Sequence, residues 1–208
     1  MKTNHFNLLA SIGFAFLIAA SACHGQKDST ASADSANQKQ IASTDSANKA
    51  QLKSSDSSVK VSTALKEDAS KFLVKSYESG MYEIQLSQLA ATNSLVAGVK
   101  DLAANLVTAH TAVNAKISAI AASANFALPT AINTDHQKDL QDIGKLTGTD
   151  FDKKYINTII DGHEKSIDSY KDAAKNLTPS DTKTFASETL PHLEEHLAMA
   201  KKVKVGLK

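Results

Sequence analysis

Between Leu95 and Ala124 the apolar side chains Val96, Val99, Ala103, Leu106, Val113, Ile117 and Ile120 follow one another in steps of three and four. The one wider gap, from Leu106 to Val113, is filled at the proper spacing by His110. Such a stripe is the buried face of a bundle helix; a strand, whose faces alternate residue by residue, would leave half of it in water. A histidine in an otherwise dry seam is the chain's first pointer to chemistry.

Three further long helices are predicted. The first runs from near Glu67 to Ala91, with Glu67 and Asp68 where acids suit the helix dipole. Its inner face is Phe72, Ser76, Ser79, Glu83, Leu86 and Ala90, and around Ser79 and Gly80 it is small enough for another helix to approach closely. Thr92-Asn93-Ser94 makes a tight turn into the seam helix, which ends near Asn125. After Pro129, Thr134-Asp-His-Gln137 reads as a capping box opening a short helix to about Leu146, closed by Gly148. A second box, Thr149-Asp-Phe-Asp152, opens a helix to Leu177 with the seam Ile156, Ile159, His163, Ile167, Tyr170, Ala174 and Leu177. The last helix opens at Thr178-Pro-Ser-Asp181 and runs to about Gly206, its seam being Leu193, His196, Ala200, Val203 and Leu207. Pro191 is expected to kink or break it just before the histidines. No segment alternates convincingly with period two. The expectation is an all-α domain over residues 66–208, a four-helix bundle with a short extra helix between the second and third long helices.

The first 65 residues are of another kind. Lys2, an apolar run from Leu8 to Ala20 and the small residues before Cys23 read as a signal peptide over residues 1–22. Ala20-Ser21-Ala22 suits ordinary signal peptidase. The same place resembles a bacterial lipobox, with Ala20 where Leu is usual, and Cys23 would then be lipidated and hold the protein to a membrane. Cys23 is the only cysteine, so it has no partner for an intramolecular disulfide. Residues 23–65 are a tether: from Asp28 to about Thr63 the chain lacks aromatic residues, Gly and Pro, and Asp34-Ser-Ala-Asn37 recurs as Asp45-Ser-Ala-Asn48. It holds too little apolar surface to offset the entropy of ordering. The address expected is the bacterial envelope, on the periplasmic side or the outer membrane. All 23 basic residues are Lys and the formal net charge is +1. Without a guanidinium fork or a strong field, nucleic acid is not an expected partner.

His110, His163 and His196 occupy seams on three different helices. Measured from Thr178, His163 lies 15 residues before and His196 18 after, a height difference of about 4–5 Å. Imidazoles meeting inside a bundle are a familiar metal site, with zinc, iron or copper as candidate ions. Glu83 faces the right way, but counted from Asn93 it lies about 10 Å off the layer. Glu78 is nearer in height, and it and His192 are the alternates. The competing expectation is a structural or protein-interaction module of the envelope whose histidines are hydrogen-bonded core residues.

The segments Ser79-Gly-Met-Tyr-Glu-Ile-Gln-Leu86, Val99-Lys-Asp-Leu-Ala103 with His110, and Leu128-Pro129 are similar to those of the DUF4142 family. So are Phe151-Asp-Lys-Lys-Tyr155 with His163, and Leu190-Pro-His-Leu-Glu-Glu-His-Leu197. The resemblance spans nearly all of Ala69 to Val203. It implies a ferritin-like helical bundle of a bacterial envelope protein, and Glu83, His110, His163 and His196 as the positions to watch. This chain departs from the family pattern at Ala109, where an acid is common, and at Ser79-Gly80, where a glycine pair is common.

Several chemistries fall away. No Glu-x-x-His occurs, so a carboxylate-bridged di-iron centre of the ferritin type is not expected. His192-Leu-Glu-Glu-His196 matches the inverted zinc-protease motif, but Pro191 disturbs its helix and a small bundle offers no substrate cleft. No nucleophilic constellation and no glycine-rich phosphate loop are present. An enzyme is therefore not the leading expectation. His24 and His136, in the tether and the short polar helix, carry no role in this reading.

Overall fold

The structure, a computed structural model, describes residues 60–178 and 180–207. The expected leader, Cys23 and most of the expected tether lie outside the described residues. Five helices follow in order: α1 Lys60–Asn93, α2 Ala97–Ala124, α3 Thr134–Gly144, α4 Gly148–Asn176 and α5 Ser180–Gly206. The protein is all-α, with four long helices in a bundle and one short extra helix. α1 and α2 form one closely packed hairpin and α4 and α5 another. The hairpins meet more loosely, α1 beside α4 and α2 beside α5, and α3 packs on α1 and α4.

Helix ends differ from the sequence reading where local chemistry was misassigned. α1 begins at Lys60, seven residues before the expected start. The turn after it is built by Ser94, whose Oγ accepts from Val96 N–H at 3.1 Å. α2 ends on Asn125, which adopts the left-handed conformation (φ 56°) that asparagine tolerates better than most. The cap of α3 is Asn133, one residue before the expected Thr134; its Oδ1 accepts from His136 N–H at 2.8 Å. The second capping box does not form. Gly148, with φ +56°, is the first residue of α4 rather than the end of α3, and Asp152 is buried one turn inside the helix.

Pro191 does not interrupt α5, which runs unbroken through it. The residues flanking the proline are anchored: Ala186, Thr189 and Leu193 are buried, and Thr189 Oγ1 donates to the Phe185 carbonyl at 2.7 Å. Packing thus outweighs the roughly 3 kcal/mol that an interior proline costs a helix.

The buried stripe of α2 also drifts from the expected seam. Val99, Ala103, Leu106, His110 and Ile117 are buried as expected, but Val113 and Ile120 are only half-buried, and Asn114 and Ala121 take their place. A straight helix at 3.6 residues per turn slips about 20° per heptad against a strict 3.5 repeat. Close approach at Gly80 is as anticipated: a Cβ there would lie 2.3 Å from Asn114 Oδ1.

The core comes in two pieces. One gathers Leu86, Leu106, Phe151, Tyr155, Ile156 and Ile159 around the α1–α2 turn end; the other gathers Leu73, Ile117, Ile167, Tyr170, Phe185 and Leu193. Tyr155 is fully buried with its hydroxyl 3.0 Å from Ser87 Oγ. Tyr155→Phe orphans that serine and is expected to cost about 1 kcal/mol, read as a drop of a few degrees in Tm.

Candidate metal centre

Between the two core pieces lies a polar layer. On α1 Glu83 stands between Leu73 and Leu86; on α2 His110 stands between Leu106 and Ile117. On α4 His163 falls between Ile159 and Ile167, and on α5 His196 falls between Leu193 and Ala200. Each helix therefore contributes one residue. His163 is fully buried, and the other three are no more than 5 % exposed.

The three imidazoles form a nearly equilateral triangle, with ring centres 5.5, 5.6 and 5.4 Å apart. One nitrogen from each ring lies within 4.8 Å of the others. His163 Nδ1 donates to the Ile159 carbonyl at 3.0 Å, which leaves Nε2 with a lone pair turned to His196 Nδ1 at 3.3 Å. Glu83 Oε2 lies 2.9 Å from His110 Nε2 and 3.4 Å from His163 Nδ1. The first pair is a buried ion pair whose ring N–H points obliquely at the oxygen.

Glu83 was expected about 10 Å off this layer; it lies in it. The count from Asn93 misplaced the turn, whose middle is Leu95. From there Glu83 is 12 residues back and His110 15 on, a difference of about 4–5 Å. Helical side chains lean toward their own N-terminus, so Glu83 reaches away from the turn and His110 toward it, which closes the remainder. The two alternates stand elsewhere. His192 is exposed on α5, outside the layer. Glu78 is buried but engaged, with Oε1 accepting from Asn133 N–H at 2.8 Å and lying 2.8 Å from His136 Nδ1.

His136 is the residue that sequence reasoning missed. Besides meeting Glu78, its ring stacks on Tyr82 at 4.1 Å with an interplanar angle of 7°. The Tyr82 hydroxyl donates to Asp139 Oδ2, and Lys154 lies 3.6 Å from Asp139 Oδ1. Burial and then Asp139 push the Tyr82 phenol well above its ordinary range. His136 and Glu78 are separated by 58 positions, and no local spacing signals such a contact.

Charge in the layer is divided unevenly. Burial alone would push the Glu83 carboxyl up, yet the imidazoles of His163, His110 and His196 outweigh it and hold the group at about 2. His196 is brought down to about 4, by burial first and then by its neighbours His110 and His163. At neutral pH the layer thus offers a carboxylate and, at His196, a neutral imidazole. Both shifts make the metal-free protein labile to acid. An unfolded chain holds the His196 proton more tightly than the folded one, so stability falls as pH drops from about 6.5 to 4. Glu83 adds a second loss below about 4.5. The first loss is expected to be on the order of 2–3 kcal/mol. Thermal melts at pH 7.5 and 4.5 should show it, with a smaller difference in His196→Leu.

A groove of about 480 Å³ runs along the looser α1–α4 seam, and Tyr82, Glu83, His136 and Asp139 line it. Of the four layer residues only Glu83 lines this groove. Gly162 makes room for its carboxylate, because a Cβ there would stand 3.3 Å from Glu83 Oε1.

Fold and site define a class: a four-helix bundle with a buried tri-histidine and glutamate layer at mid-height. Residues 55–203 match the family described as "Domain of unknown function (DUF4142)", and the chain belongs to that family. No curated protein and no solved structure matches the chain. Among the described residues no helix is long and apolar enough to cross a membrane.

Proposed function

We propose that the protein binds one divalent metal ion in the layer formed by Glu83, His110, His163 and His196. The observation that carries this reading is the buried triangle of His110, His163 and His196, one nitrogen from each ring lying within 4.8 Å of the others. Imidazoles gathered in an apolar interior cost stability unless their nitrogens are partnered, and a cation would partner all three. Spacing supports the reading. An ion bound at about 2.0–2.1 Å by three imidazoles stands about 3.2 Å from each ring centre, which puts the centres roughly 5.2–5.5 Å apart. The observed triangle has that size. The His163 Nδ1 bond to Ile159 is the outer contact that fixes a ligating tautomer. Three nitrogens and one carboxylate suit zinc, iron or copper. The same groups in an electron-transfer or hydrolytic role would need further residues, and no enzyme activity is proposed.

We further propose that the bundle is an envelope protein, with residues 1–22 as its export signal, the chain between Cys23 and the start of α1 as a spacer and a lipid on Cys23 holding it to the membrane. The sequence around Cys23 is the support. Labelling cells with a radioactive fatty acid should mark the protein and leave Cys23→Ser unmarked.

Metal analysis of untagged protein purified without chelator tests the ion. About one ion per chain is expected, falling to near zero in His110→Ala. The competing reading is an interaction module whose histidines are packing residues, favoured by the imidazole contacts already present. It predicts no bound metal even after zinc and iron are offered, and that result would overturn the metal reading.

A further inference from the structure

An ion in the layer would be enclosed on three sides and approachable on one. His110, His163 and His196 belong to the interior, whereas Glu83 forms part of the floor of the α1–α4 groove. The groove is of the size that holds small ligands, about 480 Å³. Gly162 also lines it, and its lack of a side chain lets α4 pass close to Glu83 Oε1, 3.3 Å from where a Cβ would stand. Glu83 is also the ligand best able to give way, since a carboxylate can hold a metal through one oxygen or two.

The groove walls carry both signs of charge. Lys75 on α1 and Lys165 on α4 line it, together with the hydroxyl-bearing Ser79 and Ser166. Four acids line it as well, three of them held by neighbours. Glu78 meets His136 and Asn133, Asp139 accepts from the Tyr82 hydroxyl and faces Lys154, and Glu83 faces the imidazoles. Asp161 completes the set, and Lys75 and Lys165 offset part of this charge. A dipositive ion with one carboxylate ligand keeps a net positive charge and attracts a second anion.

We propose that a small anion enters along the α1–α4 groove and binds the metal on its Glu83 side, as a ligand supplied from outside the protein. This rests on the metal reading above. The chemical class is a monovalent anion of few atoms, a carboxylate or similar lone-pair donor, with Lys75 and Lys165 attracting it and the serine hydroxyls donating to it.

Cobalt(II) loaded into the intact protein and titrated with sodium azide tests the proposal, because the visible spectrum of cobalt reports its ligands. A saturable spectral change is expected. Ser166→Phe, which fills the groove one turn beyond Gly162, should weaken the azide response at least tenfold while cobalt content stays the same. Should that variant fold poorly, Lys165→Met serves instead and should weaken azide at least threefold at unchanged cobalt content. A cobalt spectrum indifferent to azide, or azide binding equally well in the folded variant, overturns this proposal and leaves the metal reading standing. Protein that takes up no cobalt, zinc or iron overturns both.

Discussion

Replacing His163 with Ala is expected to abolish the rise in melting temperature that excess zinc gives the unaltered protein. A ligand that binds only the folded state stabilises it by about 2.7 kcal/mol at one hundred times its dissociation constant. For a domain of this size that is a rise of roughly 5–10 °C. His163 is the member of the layer with the most to lose. It is fully buried, touches Glu83 and His196, and has its tautomer fixed by Ile159. The same change also empties a buried volume, so the metal-free variant should be weaker by about 2–4 kcal/mol whatever the layer does. His163→Leu separates the two effects. It refills the volume and takes a polar group out of a costly site, so it should harm the metal-free protein far less than Ala. It should lose the zinc response just as completely. A zinc response that survives in both variants would falsify the assignment of His163 as a ligand.

Gly80→Ala is expected to destabilise the fold by about 1–3 kcal/mol, against the gain of up to about 1 kcal/mol that alanine normally brings to a helix interior. The new methyl carbon would sit 2.3 Å from Asn114 Oδ1, well inside contact distance. Asn114 cannot turn away freely, because its Nδ2 donates to the Tyr77 carbonyl at 3.2 Å and the residue is buried in α2. Asn114→Ala should therefore rescue Gly80→Ala. A double-mutant cycle by urea unfolding should give a coupling of at least about 1 kcal/mol. Additive effects would show that the Gly80–Asn114 approach does not limit how closely α1 and α2 pack.

Much of this architecture was legible from period alone. The three-and-four spacing of α2 and the seam of α4 fixed helices, buried faces and the class of fold, because those depend on residues within a few turns of each other. Three histidines on three seams were legible for the same reason, and a long hairpin such as α4–α5 carries its register across one short turn. Errors arose wherever one residue of register or one long-range contact decided the matter. Asn133 rather than Thr134 caps α3, and the helix survives Pro191, since local preference is overridden by what packs around it.

What the sequence by itself determined is that this chain makes amphipathic helices with a histidine on three of their inner faces. Side-chain period is a property of the backbone, and burial of apolar stripes then leaves little choice of class. Only the tertiary structure brought Glu83 into the histidine layer. Its height depends on where the α1–α2 turn is centred and on the opposite lean of side chains on antiparallel helices. Only the tertiary structure, too, set His136 against Glu78 and Tyr82, and left a groove where the hairpins meet loosely. Those are relations between helices distant in the chain, and no local spacing encodes them.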